Sequence, residues 1–109
     1  MAEMKEQTVW VVDPDPVFRA KVEGALRQAG FQVTGLGEAT QLWGERDALI
    51  ITADLLPVQR PAATVIALVS PGDGAAQVKA LESGARWFIP RDLAWLSHLP
   101  AILMASQAH

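Results

Sequence analysis

Asp13 and Arg91 are the residues of this sequence best placed to do chemistry. Asp13 directly follows the apolar run Thr8-Val9-Trp10-Val11-Val12. Ligands of open α/β sheets bind at the carboxyl ends of strands, so Asp13 reads either as a pocket acid or as a solvated strand-end residue. Arg91 follows a later apolar run, Trp87-Phe88-Ile89, and can reach across the same edge to Asp13 or Asp54. The alternative for Arg91 is a surface position, capping the last helical region together with Asp92. Asp15 precedes Pro16 and suits a helix N-cap better than a ligand. Gly72-Asp73-Gly74 offers backbone amides at a helix start, but no phosphate-loop lysine accompanies it. The sequence has no cysteine, which removes disulfides, thiolate metal sites and cysteine nucleophiles. Its two histidines are His98 and the last residue, His109, so histidine-based metal or triad chemistry is not expected. His98 lies among Trp95, Leu96 and Leu99 and reads as a half-buried helix position.

The elements that must hold these side chains alternate along the chain. The first apolar run has no polar face, which suits a parallel strand covered on both sides. Pro14 and Pro16 end it, since neither can donate to a ladder. Phe18, Val22, Ala25, Leu26 and Ala29 then recur at helical spacing, and Gly30 occupies the glycine position past the helix end. A second strand is expected over 31–36, a short helix over 38–46, and strands over 48–52 and 64–69. A helix over 75–83, a fifth strand over 87–89 and a last helical stretch over 93–105 complete the pattern, with Pro100 breaking or kinking that stretch. Strands and helices alternating in this way predict a parallel sheet with right-handed crossovers. The interval 53–63, which contains Pro57 and Pro61, is too short for a regular crossover helix. A loop or a single helical turn is expected there instead.

With 109 residues, one domain spanning 1–109 is expected, with residues 1–7 as a polar lead-in. The chain is 50% hydrophobic and 19% charged, as a globular domain should be. Nine Lys and Arg against twelve Asp and Glu give a net charge of -3, which opposes the basic footprint of a nucleic-acid binder. No apolar run approaches the roughly 20 residues of a membrane helix, and the mixed-charge N-terminus is unlike a signal peptide. A cytoplasmic domain is expected.

Several local sequences, in order, carry a resemblance. They are Val11-Val12-Asp13-Pro14-Asp15-Pro16, Leu26-Arg27-Gln28-Ala29-Gly30-Phe31-Gln32-Val33, Leu56-Pro57, Val69-Ser70 and Leu81-Glu82-Ser83-Gly84-Ala85. Across nearly its whole length the chain resembles response-regulator receiver domains. The resemblance implies a flavodoxin-like α/β fold, a three-layer sandwich around a five-stranded parallel sheet, here with the third crossover helix missing or reduced to a turn. It also implies phosphoryl transfer to an aspartate at the end of the third strand, assisted by Mg²⁺ on carboxylates and by a hydroxyl and a lysine. The acidic pair of that family falls on Asp13 and Pro14, so one carboxylate is absent. The acceptor position falls on Ala53, the hydroxyl on Ser70, the lysine on Arg91, and the aromatic switch position on Phe88. Asp54 is the neighbouring carboxylate that a one-residue bulge would bring in, although adjacent residues of a strand point to opposite faces.

These departures imply a degenerate receiver: a phosphorylation-independent signalling domain, not an enzyme, needing no cofactor or metal and acting by protein contact. It reads as the N-terminal part of a longer regulator. A genuine phospho-accepting receiver using Asp54 is the second reading, and a small-molecule sensor at the altered pocket the third. A domain this small cannot easily bury four tryptophans and three phenylalanines. Trp10 belongs in the core and Trp43 packs on the sheet or lies partly exposed. Core packing is the ordinary role of the others too, but Trp87, Phe88, Trp95, Leu96 and Leu99 form a dense apolar group suited to a protein partner, an output domain or a second copy. Kinking at Pro100 would tilt Ala101-Ile102-Leu103-Met104 away from the sheet and enlarge that surface.

Overall fold

The computed structural model describes residues 8–38, 47–56 and 64–106. Five strands form one parallel sheet: β1 (Thr8–Val12), β2 (Gln32–Leu36), β3 (Ala48–Thr52), β4 (Thr64–Val69) and β5 (Trp87–Pro90). Their order across the sheet is β2-β1-β3-β4-β5, so β2 and β5 are the edges. The crossover from β2 past β1 to β3 creates a switch point between β1 and β3, the place where such sheets bind ligands. Among the described residues three helices pack on it: α1 (Pro16–Gln28), α2 (Gly74–Glu82) and α3 (Leu99–Ser106).

The two faces of the sheet have separate cores, as expected of strands that are apolar throughout. Val9, Val11, Ile50, Ile66, Leu68 and Ile89 meet Phe18, Val22 and Leu26 of α1 and Leu99 and Leu103 of α3. Trp10, Val12, Leu49, Ile51, Val65, Ala67 and Val69 form the other face, where Ala80 of α2 packs beside Ala53, Leu56 and Ala85. Each fully buried Leu, Ile or Val contributes roughly 1.5–3 kcal/mol. Helix α1 is fixed at both ends. The Asp15 carboxylate accepts from the Val17 and Phe18 amides, with Pro16 in the first turn. At the other end Gly30 adopts φ 95°, and the amides of Gly30 and Phe31 return to the carbonyls of Arg27 and Leu26. That pairing is the Schellman arrangement, for which an L side chain is strained.

The predicted limits of β3 and β4 hold, and the third crossover begins as expected with one 3-10 turn, Ala53–Leu55. Residues 57–63, the lead-in 1–7 and, except for residue 38, the predicted second helix over 38–46 with Trp43 lie outside the described residues. The C-terminal stretch differs from its expectation. It is not one kinked helix but a 3-10 turn, Leu93–Trp95, followed by further turns and then α3. Pro100 stands in the first turn of α3, where a missing amide costs nothing, and so it starts a helix instead of kinking one. Leu103 is consequently fully buried and Ile102 packs against the core. The segment 101–104 therefore lies on the sheet and is not tilted away. His98 is exposed in the turn, not half-buried in a helix.

Candidate functional site

Asp13 begins the loop after β1, its amide bonded to the Leu36 carbonyl at 3.1 Å. Its side chain is fully buried at the carboxyl edge of the sheet. Both oxygens are fully engaged. Oδ1 accepts from the Asp15 amide at 2.9 Å and from Arg91 Nη2 at 2.8 Å. Oδ2 accepts from Arg91 Nε at 2.9 Å and from the Thr52 hydroxyl at 2.8 Å. A carboxylate offers about four lone-pair positions, and here all four are taken.

Arg91 follows β5 and is held by several elements at once. Its amide donates to the Val69 carbonyl at 2.7 Å. Its guanidinium carbon lies 4.4 Å from the centroid of the Phe18 ring, and Nη2 is 3.8 Å from an Asp15 oxygen. The bidentate fork suits a carboxylate better than a lysine would. Burial pushes the Asp13 carboxyl upward, but the hydrogen bonds from Arg91, the Asp15 amide and Thr52, with the charge of Arg91, outweigh it and hold it below its ordinary value. The hydrogen bond to Asp13 raises Arg91 in turn, against desolvation and with help from the charges of Asp13, Asp15 and Asp54. Arg19 Nη1 donates to the Asp13 carbonyl at 2.7 Å and ties α1 to the same loop.

Beside this pair lies an open pocket of about 130 Å³. It brings together Pro14, Ala53, Asp54, Ser70 and Arg91, all expected from the sequence, with Thr52, Leu68, Asp73 and Ala76. Ala53 is buried and offers only a methyl group. Asp54 is exposed on the 3-10 turn at the rim, where its backbone carbonyl, not its carboxylate, accepts from Lys79 at 3.4 Å. Ser70 is exposed at the end of β4. Asp73 caps α2 by accepting from the Ala76 amide. Sequence reasoning left the partner of Arg91 open between Asp13 and Asp54, and the fold pairs it with Asp13. It missed Thr52, Phe18 and Arg19. Thr52 had a signal, as the one hydroxyl at the end of the aliphatic strand Ala48–Thr52; Phe18 had none, being one regular member of a helical apolar stripe.

The metal that receivers use does not fit these residues. Pro14 and Ala53 bring no side-chain oxygen, and Asp13 is saturated by internal donors. Among the described residues no group of three or more Asp, Glu, His or Cys is arranged to hold a metal ion.

A second expected group lies on the edge strand β5. Trp87 is 46% exposed and Phe88 37%, and as neighbours in a strand they project to opposite faces. Trp95 is 40% exposed and stands edge-to-face with His98, ring centroids 5.5 Å apart. Leu99 does not belong to this surface, because α3 begins there and turns it into the core at 0% exposure. Leu96 is half-buried against the same core. Met104, expected on the tilted segment, is exposed although that segment is not tilted away; Val78 and Leu81 of α2, with Leu93, are exposed apolar residues that sequence reasoning did not select. Among the described residues no helix is long and apolar enough to cross a membrane.

No protein-family profile and no curated protein matches the chain. Solved structures do. The receiver domain of the sensor histidine kinase PA1611 from Pseudomonas aeruginosa superposes with a TM-score of 0.78 at 21% identity, over 96% of this chain and 100% of that one. The chemotaxis response regulator CheY4 of Vibrio cholerae gives 0.73 at 12% identity, over 91% and 99%. Full-length FixJ from B. japonicum gives 0.70 at 17% identity, over 96% of this chain but 61% of that one. Element order, sheet topology and these superpositions agree: the chain has the flavodoxin-like fold of response-regulator receiver domains.

Proposed function

We propose that this is a receiver-fold module of two-component signalling that works through protein contact without being phosphorylated. One observation carries the reading: the strand-end acid, Asp13, is closed into a four-point internal pair with Arg91, Thr52 and the Asp15 amide. A Mg²⁺ ion would have to displace a bidentate guanidinium from a buried carboxylate, with no second carboxylate at Pro14 to help. Ala53 supplies no side-chain oxygen at the acceptor position. The PA1611 receiver domain was crystallised with magnesium in its active-site cleft; in this domain the guanidinium of Arg91 supplies the compensating positive charge from within. The module is thus not an enzyme and transfers no phosphoryl group. Its output is the exposed apolar group along the β5 edge and the turn after it, Trp87 on one face of the sheet and Phe88 on the other with Leu93 and Trp95 following, offered to a cytoplasmic protein partner, an output domain or a second copy.

A second reading has one observation in its favour. Asp54 lies on the rim of the same pocket as Ser70 and Arg91, so an acceptor carboxylate is near a hydroxyl and a cation. Amide spectra of the labelled domain, titrated with Mg²⁺ and then with beryllofluoride, separate the two. Unmoved signals from Asp13, Asp15, Ala53 and Asp54 are expected. Saturable shifts at Asp54 with both reagents would establish the second reading in place of the first.

A further inference from the structure

The clasp on Asp13 stands at the start of the chain segment that carries Trp95. Arg91 is held on one side by its fork on Asp13 and on the other by its amide on the Val69 carbonyl. The next residue, Asp92, organises the turn: its carboxylate accepts from the Ala94 amide at 3.0 Å and its carbonyl from the Trp95 amide at 3.0 Å. The Trp95 carbonyl then accepts from the His98 backbone amide, and the His98 ring meets the indole edge-to-face. No residue separates the pinned guanidinium from the cap of the turn, so the direction in which residue 91 leaves the sheet sets where the indole stands. A 3-10 turn of three residues has little rigidity of its own.

We propose that Arg91 is a positioning residue for the exposed aromatic surface: its fork on the buried Asp13 fixes the corner from which Trp95 is presented. The surface's role as a partner site rests on the function proposed above; the positioning does not depend on it. Phe18 is part of the device, since its ring under the guanidinium leaves the fork one orientation. The internal ion pair then gives the surface a single, constitutive arrangement.

Fluorine NMR of the whole chain labelled with 5-fluorotryptophan tests this, each signal being assigned by a single Trp→Phe replacement. Arg91→Gln is expected to shift or split the Trp95 signal while the Trp10 signal, from the buried β1 position, stays in place. Asp13→Asn is expected to do the same. Asp15→Asn removes a charge 3.8 Å from Arg91 but keeps a good helix cap, and it is expected to leave Trp95 unmoved. If Arg91→Gln also moves Trp10, Arg91→Lys replaces it as the test, because it keeps the charge and removes only the fork. A Trp95 signal unchanged in these Arg91 variants, or moved as far by Asp15→Asn, overturns the positioning role. That failure leaves the phosphorylation-independent reading intact, whereas phosphoryl uptake would overturn that reading and leave the Trp95 result standing.

Discussion

Replacing Arg91 by Met removes the guanidinium while keeping an unbranched stem on the Phe18 ring. Asp13 has no solvent exposure, so its charge cannot turn to water for compensation. Breaking a buried pair by removing one partner costs about 3–5 kcal/mol. Two donors, the Asp15 amide and the Thr52 hydroxyl, remain and reduce that figure. Loss of the guanidinium–ring contact adds about 0.5–1 kcal/mol at a partly exposed site. A net loss of about 3 kcal/mol at neutral pH follows, a large share of the roughly 5–15 kcal/mol available to a domain. With a urea slope of about 1–3 kcal/mol per molar, the midpoint falls by about 1–3 M. The pH dependence gives a second reading of the same pair. In the native protein the Asp13 carboxyl is held below its unfolded value. Its stabilisation is therefore present above the ordinary aspartate range and is lost as pH falls through the lowered value. Without Arg91, burial, the largest single influence, is opposed only by the Asp15 amide and the Thr52 hydroxyl, so the variant's folded value rises from the native one and the variant is penalised less as the pH is lowered. The difference between the two proteins should therefore shrink between pH 7 and about pH 4.5. Urea melts at both pH values decide it. A loss below about 1 kcal/mol that is the same at both would refute the claim that Arg91 compensates a buried charge.

Gly30→Ala should cost about 1–2 kcal/mol in a thermal or urea melt, because Gly30 sits at φ 95° and Ala must be forced there. Leu103→Ala should cost about 2–5 kcal/mol while the adjacent Met104→Ala changes stability by less than about 0.5 kcal/mol, since Leu103 is fully buried and Met104 is 59% exposed. The double replacement Trp87→Ser and Trp95→Ser should leave the domain folded, with a cooperative urea transition, and abolish self-association or partner capture, read by sedimentation and pull-down.

The sheet was legible because its central strands are continuous apolar runs, and Ala48–Thr52 and Thr64–Val69 begin and end where those runs do. Asp15, Pro16 and Gly30 marked both ends of α1 by chemistry that acts within a few residues. The C-terminal stretch was misread for a related reason. Trp95, Leu96 and Leu99 sit at helical spacing, and Pro100 was weighed as an interior breaker when it is a first-turn residue. Spacing alone cannot tell one helix with a kink from a 3-10 turn followed by a new helix, and on that choice hangs whether Leu99 faces a partner or the core. The site divides in the same way. The absence of a carboxylate at Pro14 and Ala53 is read from single letters, and so is the need for a cation near Asp13. Which acid Arg91 meets depends on where β1, β3 and β5 end relative to one another, a register that no local sequence encodes. Thr52 and Phe18 entered the clasp through that register as well.

Whether the domain accepts a phosphoryl group is decided most directly by intact-mass spectrometry after incubation with acetyl phosphate and Mg²⁺. No added phosphoryl mass is expected at any incubation time, in the parent protein or in Asp54→Asn. A stoichiometric phosphoryl adduct that disappears in Asp54→Asn would contradict the reading of Asp13 and Arg91 as a closed internal pair.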